Sequence, residues 1–175
     1  MKQLLAISDP YLKHSGSLKK LDSGKLVPFL PEPYPWLSDM MATQSLLIHQ
    51  QLPRLKPLFD DIIVLNGGLG QGVKCNPLFD EYEQFQFLNK VEDLQEHDIW
   101  LCGFHYGRCL HQNILSAVYD DPYINKEQFK VIVNLSFSFP GDGHGQRTQN
   151  FQGLAKEYHW DYVDRLEEVT ARTHK

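Results

Sequence analysis

Three residues of this chain are of types that can together run nucleophilic catalysis: Asp9, Lys74 and Cys109. A thiol becomes a nucleophile when something takes its proton, and a nearby cation holds the charge that results. Cys109 carries most of the argument. It stands in DIWLCGFHYGRCLHQNILSAVYDD, residues 98–121, where the apolar run Ile99-Trp100-Leu101-Cys102 ends at Gly103. Beyond a short turn, Leu110, Ile114, Leu115 and Val118 recur at helical spacing. That pattern is a buried strand, a Gly-led turn and an amphipathic helix. Cys109 therefore falls at the turn-to-helix junction, where unpaired backbone N–H groups and the helix dipole favour the thiolate.

Asp9 follows the apolar stretch QLLAIS at residues 3–8 and precedes Pro10, which cannot continue a ladder. It sits at the C-terminal end of a first strand, where open α/β sheets gather their ligand sites. Capping a turn is the alternative role, and position does not decide between the two. Lys74 follows a glycine-rich run, Gly67 to Gly72. The spacing is GxGxG rather than GxGxxG and no helix start follows, so a phosphate loop is weakly signalled. Taken alone, a lysine there reads as a solvated charge.

The elements that must position these groups follow from periodicity. Residues 13–35 are rich in Lys, Ser, Gly and Pro and form a long excursion, with a hairpin expected around Asp22-Ser23-Gly24. Residues 37–52 are expected to be helical, with Ser38 as N-cap and Pro53 and Pro57 ending the helix. DDIIVLNGG gives a buried strand. Residues 79–97 predict one helix or two short ones before the central strand, and FKVIVNLSFSF, 129–139, is the clearest strand. A helix over 149–158, a short strand at 161–163 and a terminal helical turn complete the chain. Strands separated by helical stretches pair in parallel. The expected fold is a three-layer α/β/α sandwich with a mainly parallel central sheet, Rossmann-like, forming a single domain over 1–175.

Bulk properties narrow the function. The chain has 175 residues, 42% hydrophobic and 22% charged, ordinary values for a globular protein. A net charge of −5 argues against a general nucleic-acid binder. No apolar run reaches a membrane span, and the N-terminus has too short an apolar core for a secretory signal. Cys75, Cys102 and Cys109 form no CxxC pair and are odd in number, which fits reduced thiols and a cytoplasmic setting.

On these residues the chain resembles the isochorismatase-like cysteine hydrolases, which include nicotinamidases and N-carbamoyl amidases. That family's nucleophile segment is a hydrophobic strand followed by G-x-x-T-x-x-C-V-x-x-T. Here IWLCGFHYGRCLHQN places Gly103 and Cys109 in register, with Leu110 for Val, and Tyr106 and Asn113 where the family favours Thr. Asp9 matches the family's strand-end Asp, while Tyr11 replaces a Gln two residues later. Lys74, followed by Phe79, fits the family lysine better than Lys90, which is too near Cys109.

The resemblance implies that Asp9 is the general base, Cys109 the nucleophile toward an amide carbonyl and Lys74 the cation that holds their charges. The backbone N–H groups of His105 and Cys109 would form the oxyanion hole, and Tyr11, Phe79 and Tyr106 would border the substrate. It implies a small-molecule C–N substrate, a thioester intermediate, no cofactor and a homo-oligomer. The metal-binding members carry Asp-x-His between the catalytic Asp and Lys. Here only His14 and His49 lie between them, so no metal is expected. The competing expectation is a noncatalytic protein of this fold that binds a small molecule or a partner. His105 and His111 flank Cys109, but His111 is two residues along the helix and faces elsewhere.

Overall fold

A computed structural model describes residues 1–10, 18–20, 23, 26–28, 35–67, 75–104, 110–137, 161–163 and 166–173. Among these, the chain forms β1 (Lys2–Ser8), β2 (Leu18–Lys20), β3 (Leu26–Pro28), α1 (Pro35–Leu55), β4 (Asp61–Leu65) and β5 (Glu83–Phe85). β6 (His97–Phe104), α2 (His111–Asp120), β7 (Phe129–Phe137), β8 (Asp161–Val163) and α3 (Leu166–Thr173) follow. The main sheet runs β5-β4-β1-β6-β7-β8, and each neighbouring pair in it is parallel. β2 and β3 pair separately as an antiparallel hairpin around Ser23, as the turn residues there require.

β1 is buried from Leu4 to Ser8, which explains its unbroken apolar run: a central parallel strand meets core on both faces. Leu4 and Ala6 belong to one core cluster with Ile99, Leu101, Leu110, Ile114 and Ala117, the α2 side. Leu5 and Ile7 belong to a second with Ile48, Leu52 and Leu55 of α1 and Val169 of α3. The alternation along β1 sorts its side chains between these two faces. The fold is α/β with a parallel sheet.

The strand order reverses at the centre. From β1 the chain passes through α1 to β4 on one side, and from β6 through α2 to β7 on the other. β1 and β6 are adjacent, in register from Lys2↔His97 to Ser8↔Gly103. Their C-terminal ends flank the switch point, where such sheets leave a crevice.

Two expectations are corrected. The first helix starts at Pro35 rather than at a Ser38 cap and carries Pro53 inside its last turn, ending at Leu55. Proline at the first helical position removes an N–H that has no partner anyway. Leu52 and Leu55 are both buried, and their packing carries the helix past Pro53 despite the lost backbone bond. A 3₁₀ turn, Lys56–Leu58, follows.

Residues 79–97 hold no α-helix. They form the 3₁₀ turns Leu88–Lys90 and Leu94–Glu96 after Pro77–Phe79, together with β5. Leu88 and Leu94 are each buried as single anchors, and Asp93 takes a left-handed φ of 57°, which a helix cannot contain. The strand and terminal helix expected after residue 160 are present, as β8 and α3. The helix expected over 149–158 lies outside the described residues.

Candidate active site

Asp9 leaves β1 by one residue and is still bound to the sheet: its N–H donates to the Leu65 carbonyl at 2.7 Å. Its φ is 49°, in the left-handed region, where Asp is tolerated better than most residues but at a cost. The residue is 1% exposed, and its Oδ2 accepts a hydrogen bond from Ser8 Oγ at 3.0 Å. A carboxylate buried so deeply must be held by polar neighbours. Asp9 thus turns the chain and places a buried carboxylate at the C-terminal end of β1.

The segment after Lys74 docks beside this turn. Asn76 N–H donates to the Pro10 carbonyl at 2.8 Å, and the Asn76 side chain accepts from Leu78 N–H at 3.1 Å. Cys75 is half-buried, its thiol pushed up to about 12, chiefly by burial, then by the charge of Asp80. A backbone hydrogen bond with Asn76 acts in the opposite sense, and the charge of Asp9 adds to the rise. Asp9 and Cys75 are therefore electrostatic neighbours.

On the other side of β1, Gly103 has φ 104°, and a Cβ added there would collide with the Ser8 carbonyl oxygen and lie 3.0 Å from its nitrogen. Only glycine fits this approach. Here β7 also departs from regular pairing: Leu101 is opposite Val131 and Gly103 opposite Ser136. Ser136 Oγ closes the irregularity with a 2.6 Å bond to the Ile132 carbonyl. Such irregularities recur beside active sites, where they re-aim the chain.

α2 begins just beyond. Leu110 is fully buried in the α2-side core and His111 opens the helix, so the expected amphipathic helix is present, while the turn expected before it lies outside the described residues. Asn113 is buried, and its Oδ1 accepts from the Leu88 N–H at 2.8 Å, tying the 88–90 turn to the helix. Lys90, the alternative lysine, is exposed on that turn. Phe79 is a fully buried core side chain, packed edge-on to His49 at 6.0 Å, rather than a surface ring. Tyr11, Lys74, His105, Tyr106 and Cys109 lie outside the described residues.

Cys102 is buried, its thiol also pushed up to about 12 by desolvation. Among the described residues no group of three or more His, Cys, Asp or Glu is placed to hold a metal, and no helix is long and apolar enough to cross a membrane. Ser8 went unnoticed in the sequence. The signal that marks it is the alternation Leu4, Ala6, Ser8, which puts a hydroxyl where the α2 face ends.

Comparison with family models, with curated proteins and with solved structures gave no match for this chain.

Proposed function

We propose that the chain is a cysteine hydrolase of the isochorismatase-like kind, a three-layer α/β/α domain that cleaves an amide-type C–N bond of a small molecule. The observation that carries this reading is the buried Asp9 carboxylate at the switch point, beside the Ser8–Gly103 contact that leads toward the start of α2. Cys109 directly precedes the buried Leu110, and Lys74 directly precedes Cys75, whose thiol feels the Asp9 charge. The chain neighbours of Lys74 and Cys109 thus border Asp9 or belong to the start of α2.

In this scheme Asp9 takes the Cys109 thiol proton as sulfur attacks the carbonyl carbon. The backbone N–H groups of His105 and Cys109 receive the oxyanion. The C–N bond breaks, the amine leaves with the proton held by Asp9, and a thioester remains. Water then gives a proton to Asp9 and attacks the thioester. The C–S bond breaks to release the acid, and the proton returns to the thiolate. Lys74 holds the charges of Asp9 and the thiolate, and the scheme calls on no cofactor.

Alkylation by a small haloacetamide, followed across pH, tests the assignment. Cys102 and Cys75 both carry thiols pushed up to about 12, so fast labelling at neutral pH reports Cys109. Fast labelling that slows in both Asp9→Asn and Lys74→Ala, followed by turnover of primary amides or N-carbamoyl compounds, supports the reading. A Cys109 thiol with an ordinary pKa near 8.5, indifferent to both substitutions, leaves the noncatalytic binding protein as the better description.

A further inference from the structure

We propose that Ser8 is a positioning residue for the Asp9 carboxylate; this rests on the assignment of Asp9 as the base. Three cross-strand pairs climb the α2 face of the sheet: Leu4↔Ile99, Ala6↔Leu101 and Ser8↔Gly103. The first two pairs lie in the core cluster that Leu110, Ile114 and Ala117 of α2 complete. The third continues the same alternation with a hydroxyl and a hydrogen. Side chains therefore shrink toward the C-terminal edge, and the last group before the crevice is polar.

Asp9 would follow the opposite face if β1 continued. Its left-handed φ of 49° breaks the alternation, and the Ser8 hydroxyl captures Oδ2 at 3.0 Å. Ser8 is 0% exposed and Asp9 1% exposed, so water does not compete for this bond. Gly103 keeps the Ser8 backbone from shifting away, because β6 packs against it without a Cβ between them. The hydroxyl thereby fixes the rotamer of a carboxylate whose backbone is already strained, and turns one oxygen to the α2 side of the sheet. Among the described residues, Cys75 on the docked segment feels the charge of Asp9, and Asp80 acts on the same thiol.

A double-mutant cycle read by Cys109 alkylation tests the proposal, using wild type, Ser8→Ala, Asp9→Asn and the double variant. Ser8→Ala removes one oxygen from a strand that keeps its Cβ. It is expected to slow labelling about tenfold at neutral pH, the scale of one hydrogen bond to a charged group. The acidic limb of its profile is expected to move to higher pH, because the carboxylate loses a donor that favours its ionised form. In the Asp9→Asn background the same substitution is expected to have no further effect. If Asp9→Asn slows labelling but Ser8→Ala does not, or acts equally in both backgrounds, the positioning role is overturned and the assignment of Asp9 stands. If Asp9→Asn itself leaves labelling unchanged, both fall together.

Discussion

Gly103 lies so close to Ser8 across the β1–β6 pair that a Cβ on Gly103 would run into the Ser8 carbonyl oxygen. The positive φ of 104° at Gly103 adds a backbone penalty for any other residue. Relief would require separating the two central strands where both core clusters meet them. Gly103→Ala is therefore expected to destabilise the fold by about 3 kcal/mol or more. Urea unfolding midpoints check this, and a variant within about 0.5 kcal/mol of wild type would contradict the close approach.

The opposite edge of the sheet carries a polar network with no part in the proposed chemistry. Trp100 Nε1–H donates to Gln3 Oε1 at 2.8 Å, and Gln3 Nε2 donates to Asp98 at 3.0 Å. Lys130 sits 3.6 Å from Asp98 and 5.5 Å from the Trp100 ring centroid. Gln3→Ala removes the acceptor of the indole N–H and is expected to cost about 1–3 kcal/mol. Cys109 labelling in the folded variant should match wild type. A loss of labelling without a loss of stability would mean that the two edges are coupled.

Much of the fold was legible because β1, β4 and β6 carry continuous apolar runs, as strands buried on both faces require, and β7 holds the β-branched stretch Val131-Ile132-Val133. The hairpin around Ser23 followed from its turn residues. Residues 79–97 were not legible: acidic and aromatic composition resembles a helix, while the anchors Leu88 and Leu94 are six residues apart and Asp93 is left-handed. Pro53 misled for a related reason, since buried Leu52 and Leu55 outweigh a local breaker. Asp9 could be placed at a strand end from Pro10 alone. Alternation along β1 also marks the face of Ser8, but its bond to Asp9 depends on the left-handed φ of Asp9, which no local pattern signals. The strand order that puts β1 beside β6 is likewise a long-range property, absent from any local window.

Asn113, in the first turn of α2, has a side chain with a defined task. Its Oδ1 accepts the Leu88 N–H, a buried backbone group in the turn that precedes β6. Asn113→Ala leaves that N–H without its acceptor and is expected to cost about 1–3 kcal/mol. The amide of Leu88 should exchange markedly faster with solvent deuterium, while amides within β1 keep their protection. Unchanged exchange at Leu88 would show that another acceptor replaces the side chain.

Cys102 supplies a pH test of the core itself. Its thiol is pushed from an ordinary 9.0 up to about 12 by desolvation alone, so the folded chain keeps the proton that the unfolded chain gives up. Between these two values the unfolded state binds fewer protons, and stability falls as pH rises. Below about pH 9 the thiol is protonated in both states and contributes no slope. Above it, the wild type should lose about 1 kcal/mol per pH unit from this group. Cys102→Ala lacks that slope but gives up core volume, at a cost of about 1 kcal/mol at neutral pH. The stability difference between the two proteins should therefore shrink and then reverse in sign between pH 9 and 11. Parallel curves over that range would mean that water reaches the thiol, and that the centre of the sheet is less tightly closed than its 0% exposure at Cys102 requires.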